Sequence, residues 1–296
     1  MKIKYAYIET TNYCNLRCVT CNRQDVIGPL KHMSVDNFSQ LMVKLEDQPI
    51  QEAKLMGMGE PFLHPQFSAI TRKFKNIFPN AKLISATNAQ YLLTQNMVDS
   101  MKYIDMLYIS IDGAHENYER MRTPAKWDRL IKFLEDLQHV NRYNCEVVVN
   151  YTISPGIVYD IPIIEELAQE YNLGELRLNL VQNWNEDEGT TTGYTEAEVN
   201  FLDKYKGRIK GKAPWTWSDC MWIKEGFYST VEGNVKVCCM NTAAKSLGNI
   251  FESSLDEIFK SREFKAIRWG CKTDEPTDHC LTCSYKELSS LLKRYI

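Results

Sequence analysis

Six short runs rich in apolar and β-branched residues, Lys4–Ile8, Ala53–Gly57, Lys82–Ala86, Met106–Ile111, Glu146–Tyr151 and Glu175–Val181, alternate with helix-like stretches through residues 1–182. That alternation admits few folds, because strands interleaved with helices form βα units and build a parallel sheet. The intervening stretches have helical periodicity. Phe38, Leu41, Met42 and Leu45 recur at i, i+3, i+4 and i+7, with Ser34 placed to cap the helix. Trp127, Leu130, Ile131, Leu134 and Leu137 repeat the pattern, and Ile163, Ile164 and Leu167 follow it more weakly. With 44% hydrophobic and 25% charged residues among 296, the chain has material for one large domain or two smaller ones.

The first strand leads into Cys14, Cys18 and Cys21, a C-x3-C-x2-C run in the segment CNLRCVTC. Three thiolates so close in sequence can hold three irons of a cubane cluster. Such clusters normally take four cysteines, so one iron is left open for another ligand. Zinc is the competing reading, but structural zinc favours paired C-x2-C knuckles and four protein ligands. The N-terminal MKIKYAYIETTN has no apolar stretch of signal-peptide length, which points to a reducing, cytoplasmic setting where thiols persist. A net charge of −3 and a pI near 6.0 leave no general electrostatic footprint for nucleic acid. No run approaches the ~20 apolar residues that span a bilayer.

The CNLRC-x2-C run, following Glu9-Thr10-Thr11-Asn12, resembles the signature of the radical S-adenosylmethionine enzymes. The resemblance implies a partial (β/α)6 barrel with ligands at the C-terminal ends of its strands, as in other parallel barrels. It implies a 4Fe-4S cluster on Cys14, Cys18 and Cys21 whose open iron chelates S-adenosylmethionine. An electron from an external flavodoxin- or ferredoxin-type reductant then splits the sulfonium, and the 5′-deoxyadenosyl radical takes a hydrogen atom from a small-molecule or peptide substrate.

By the same resemblance Gly57, Met58, Gly59 and Glu60 meet the methionyl ammonium, where glycine lets backbone approach without a Cβ. Asn88 stands in a Thr-Asn-Gly-like turn whose glycine is replaced by Ala89, which argues against a left-handed backbone there. Ser110 and Asp112 follow the fourth strand, where polar ligand groups would be read, and Arg122 matches a ligand carboxylate. A helix cap or Asx-turn before His115 is the plain alternative for Asp112, and a surface salt bridge for Arg122. Thr20 departs from the bulky apolar residue that the family often places before the third cysteine.

Residues 183–212 read as a polar connector with one helix, Glu196–Tyr205, and two aromatics, Trp184 and Tyr194, within reach of the barrel mouth. From 213 to 296, Cys220, Cys238, Cys280 and Cys283 form a second set. They surround a hairpin, Tyr228–Met240, turning at Glu232-Gly233, and a capping box, Ser254 to Glu257, opening a helix that carries Ile258, Phe259 and Phe264. This arrangement resembles the twitch domain, a shortened SPASM domain of α+β type that binds an auxiliary 4Fe-4S cluster. A four-thiolate zinc site is the alternative that the Cys280-x2-Cys283 pair leaves open. Cys145 reads as a small apolar residue, while Cys239 and Cys271 are candidate hydrogen donors to a substrate radical, alternative cluster ligands, or packing residues.

The resemblance therefore implies a two-electron oxidation of a small carbohydrate-like or aminocyclitol alcohol, with the electron passed to the auxiliary cluster. Epimerisation through a cysteine hydrogen donor, ribosomal-peptide modification, and a non-catalytic metal-binding or electron-carrier role are the alternatives. Among Glu60, His64, Asn150, Arg177 and Trp184, the sequence leaves open which face the barrel mouth.

Overall fold

Strands β1 (Tyr5–Ile8), β2 (Glu52–Leu55), β3 (Lys82–Thr87), β4 (Met106–Ser110), β5 (Glu146–Ile153) and β6 (Leu176–Leu180) lie side by side in chain order in the computed structural model, every neighbouring pair parallel. The structure describes residues 1–140, 143–181, 193–210, 216–239, 244–277, 280 and 283. Each strand returns through helical structure, so the C-terminal ends of all six open on one rim. Trp184 and Met240 lie outside the described residues.

The sheet continues past both barrel edges. Beyond β6, β7 (Ile209–Lys210) pairs in parallel. Beyond β1, β8 (Gly226–Ser229) also pairs in parallel, with Tyr228 opposite Tyr7. The expected hairpin is formed by β8 and β9 (Asn234–Lys236), antiparallel, closed by a turn in which the Gly233 N–H donates to the Thr230 carbonyl at 2.9 Å. Gly233 has φ +85°, a conformation that glycine adopts without steric cost. A last short strand, β10 (Gly248–Asn249), borders β9.

Alternation along the strands separates two faces. Ala6, Ile8, Ala53, Leu55, Leu83, Leu107, Val147, Val149 and Leu178 are buried in the main core with the helices' apolar sides. Helix Val35–Leu45 contributes Phe38, Leu41, Met42 and Leu45, all buried, and Ser34 accepts from the Asn37 N–H as expected of its cap. Burying each such side chain contributes about 1.5–3 kcal/mol. Toward the barrel interior lies a small separate cluster of Ile84, Met106, Tyr108 and Val148. Among the described residues no helix is long and apolar enough to cross a membrane.

Three expectations are corrected by the structure. Ala89 does take a left-handed backbone, φ +56°. Two side-chain turns hold it there: the Ala89 N–H donates to Thr87 Oγ1 at 3.1 Å and the Gln90 N–H to Asn88 Oδ1 at 2.9 Å. The helix expected to carry Ile258 through Phe264 is two helices, Leu255–Lys260 and Arg262–Lys272. Ser261 breaks it with extended ψ, and its hydroxyl accepts from the Phe264 N–H, a cap that competes with helix continuation. The connector helix ends at Leu202, and residues 203–205 tighten into a 3-10 turn.

Candidate active site

The segment after β1 is held by distant parts of the chain. The Met33 N–H donates to the Thr10 carbonyl, the Glu60 N–H to the Tyr13 carbonyl, the Arg17 N–H to the Thr123 carbonyl and the Val19 N–H to the Met121 carbonyl, at 2.6–2.9 Å. Asn12 fastens the next turn with both side-chain atoms, donating to the Pro29 carbonyl and accepting from the Lys31 N–H. Asn88 Nδ2 donates to Asn15 Oδ1 at 2.8 Å and lies 3.8 Å from Cys14 Sγ. These ties turn Cys14, Cys18 and Cys21 toward a cavity of about 420 Å³.

That cavity brings together the sequence-predicted set. Gly57, Met58, Gly59, Glu60, Asn88, Ser110, Asp112 and Arg122 line it along with the three cysteines. Gly57 and Gly59 are required by close approach. A Cβ on Gly57 would lie 2.3 Å from Glu9 Cγ, and one on Gly59 would lie 2.3 Å from the Thr11 carbonyl oxygen. Glu9 is buried and accepts from Tyr228 Oη at 2.8 Å and from the Met58 N–H at 3.1 Å; burial raises its carboxyl above the ordinary range.

Glu60 is likewise buried, and burial pushes it up to about 7 against hydrogen bonds from the Asn88 N–H and Tyr91 Oη. Asp112 is neither a helix cap nor an Asx-turn: one oxygen pairs with Arg122 and the other accepts from the Thr152 N–H at 2.7 Å. The Arg122 pair is buried rather than superficial, and its Nε is a buried donor with no protein partner. Burial raises the Cys14 thiol and pushes Cys18 up to about 11, so metal binding here must displace protons.

Other lining residues belong to no motif, and of them only Asn150 and Arg177 are among the positions whose facing the sequence leaves open. Tyr7, Lys54, Tyr108, Asn150, Thr152, Arg177 and Asn179 face the same cavity. The available signal was polar residues at every second position of strands expected to be uniformly apolar. Asn150 and Arg177 thus belong to the mouth. His64 is engaged elsewhere, with Nε2 on the Met33 carbonyl at 2.8 Å.

An adjoining lobe of about 400 Å³ shares Tyr7, Cys21, Lys54 and Asn150 and reaches Tyr228 and Cys239. Cys271 is elsewhere. It is buried with its Sγ 3.9 Å from that of Cys280, and Cys220 stands within electrostatic reach of both Cys271 and Cys283, as Cys238 does of Cys280. Among the described residues no three His, Cys, Asp or Glu side chains gather closely enough for a single metal ion.

A parallel barrel with thiols and glycine-lined backbone at its strand ends defines an enzyme of iron–sulfur chemistry. The chain belongs to the Radical SAM superfamily, whose family model matches residues 8–167. Residues 220–284 match SPASM, an iron–sulfur cluster-binding domain. The cofactors of these domains are a 4Fe-4S cluster with S-adenosylmethionine and auxiliary iron–sulfur binding.

The tungsten-containing aldehyde ferredoxin oxidoreductase cofactor-modifying protein of Pyrococcus furiosus is 31% identical over 172 residues, 52% of this chain and 47% of that protein. The antilisterial bacteriocin subtilosin biosynthesis protein AlbA of Bacillus subtilis is 23% identical over 94% of this chain and 64% of its own length. The chain therefore spans less than two thirds of either relative. In fold it is similar to SuiB of Streptococcus suis, with TM-score 0.72 at 15% identity over 97% of this chain and 72% of SuiB. It is also similar to BtrN in complex with AdoMet and 2-DOIA, with TM-score 0.60 at 16% identity over 96% and 93%.

Proposed function

We propose that this chain oxidises a small, hydroxyl-rich substrate by two electrons at the barrel mouth, with the second electron passing to an auxiliary cluster on Cys220, Cys238, Cys280 and Cys283. The observation that carries the reading is the polar cavity. Asn150, Thr152, Asn179 and Tyr108 offer neutral donors and acceptors beside Lys54 and Arg177, a lining suited to hydroxyls rather than to an apolar ligand. Cys14, Cys18 and Cys21 would hold the catalytic cluster, which with S-adenosylmethionine supplies a 5′-deoxyadenosyl radical.

The chain's own groups do the positioning. Glu9 fixes the Met58 backbone, and Gly57 and Gly59 keep that backbone close to the loop after β1. Asp112 anchors Arg122 while leaving Nε free to donate toward a ligand carboxylate. The parallel pairing of β8 with β1 joins the stretch between Cys220 and Cys238 to the sheet that leads into Cys14, which supports a relay between the two sites.

A second reading has its own support. Cys239 lines the adjoining lobe, where a thiol would return a hydrogen atom to a substrate radical and give epimerisation. Anaerobic reconstitution with dithionite, S-adenosylmethionine and a panel of polyols decides. Oxidation predicts deuterium transfer from substrate to 5′-deoxyadenosine and a product two hydrogens lighter. Solvent deuterium in an otherwise isomeric product, lost in Cys239→Ala while 5′-deoxyadenosine still forms, would replace that reading with epimerisation. Turnover confined to peptides would place the chain nearer to AlbA and to SuiB, whose structure has been described with precursor peptide SuiA.

A further inference from the structure

A groove of about 610 Å³ lies on the C-terminal part of the molecule, apart from the barrel cavity, with Cys220 and Cys271 among its lining. One wall is the exposed face of helix Arg262–Lys272. Lys265, Arg268, Trp269 and Lys272 stand there at i, i+3, i+4 and i+7, while Phe264, Ile267 and Cys271 are buried. Lys224, from helix Met221–Glu225, adds a fourth cation.

Of the carboxylates close in sequence to the lining residues, Glu225 pairs with Lys4 and Asp274 accepts from the Trp217 N–H, while Asp219 and Glu263 stand nearby in sequence. None of the four cations has a carboxylate within 4.0 Å among the described residues. Like charges three and four positions apart weaken a helix, so this face carries a repulsion that an acidic partner would relieve. Trp269 is 66% exposed among these cations, and an exposed aromatic ringed by charge is the composition of a protein-docking patch. The chain as a whole is acidic, with net charge −3, so the patch opposes its average.

We propose that this groove docks an acidic one-electron carrier protein of the flavodoxin or ferredoxin kind, which exchanges electrons with the auxiliary cluster beneath it. The direction of flow rests on the oxidation proposed above. There the substrate radical loses a proton to solvent and an electron to the cluster, and the oxidised carrier leaves the groove reduced by that one electron. Docking itself needs no substrate, so its test is separate from the test of the reaction.

The experiment titrates the anaerobically reconstituted full chain with an oxidised acidic flavodoxin, followed by calorimetry at low and at near-physiological salt. The expected result is saturable binding that weakens by on the order of tenfold as salt screens the contact. The variant Lys265→Glu/Arg268→Glu/Lys272→Glu, changed only at exposed positions, should bind on the order of tenfold or more weakly at low salt. Circular dichroism and iron content report its integrity. Trp269→Ala should weaken binding with the salt dependence unchanged. Wild-type affinity in the triple variant, no binding by the wild type, or equal binding of a basic cytochrome would each overturn the proposal. So would self-association of the chain through this face in place of carrier binding.

Discussion

The two thiol sites differ in their surroundings. Cys14, Cys18 and Cys21 lie in a segment tied to three other stretches of chain by backbone hydrogen bonds, and they line the cavity at the strand ends. The described backbone bonds of the C-terminal cysteines are short-range, as is that of Cys21 to Cys18: Cys220 N–H to the Trp217 carbonyl, Cys280 N–H to Thr277, and Cys283 N–H to Cys280. Cys220 and Cys271 border a separate groove. A site that generates a reactive radical needs fixed geometry and shielding. A site that relays electrons needs access to a partner. The long-range ties of the first segment suit the radical-generating task proposed for it.

Removing single thiols tests this most strongly. Cys18→Ala should reduce S-adenosylmethionine cleavage to background and lower iron by about four atoms per chain, leaving the auxiliary iron in place. Cys220→Ala should do the reverse, with 5′-deoxyadenosine still released. Iron analysis beside product quantitation checks both, and loss of all iron in either variant would break the separation of the sites.

The remaining tests concern the rigidity of the barrel site. Asp112→Ala leaves Arg122 buried without its partner and should cost about 3–5 kcal/mol in denaturant unfolding. A milder effect comes from pH. Glu60 holds its proton up to about 7 in the fold, whereas the unfolded chain releases it near 4.3. The folded state binds more protons between those values, so stability should decline from about pH 4.5 to 7, by roughly 3 kcal/mol. Glu60→Gln should flatten that decline, even from a lower baseline. Smallest, Gly59→Ala sets a methyl against the Thr11 carbonyl and should cost about 1–3 kcal/mol, with weaker S-adenosylmethionine binding measured by calorimetry. A silent Gly59→Ala would mean that the loop after β1 is looser than its ties indicate.

Much of this site was legible because it follows strand ends. Gly57–Glu60, Asn88 and Ser110–Asp112 each come directly after a strand, and parallel strands in chain order bring such segments to one rim whatever the details of packing. Propensity and periodicity failed where short-range side-chain hydrogen bonds outweighed them. At Ala89 two side-chain hydrogen bonds impose a backbone that alanine alone disfavours. At Ser261 a cap divides a helix that periodicity would have continued. Lys54 and Asn179 were hidden, and the facing of Arg177 left open, because which strand face turns to the cavity is a property of the assembled sheet, not of any motif.

By itself the sequence determined the order of strands and helices, the two sets of thiols and the strand-end segments, since spacing and periodicity are encoded within a few residues. Only the tertiary structure decided that Arg122 answers Asp112, that Cys239 looks into the barrel lobe while Cys271 packs against Cys280, and that four cations and a tryptophan converge on one groove. Each of these depends on which faces meet after the chain has folded, and no local pattern carries that information.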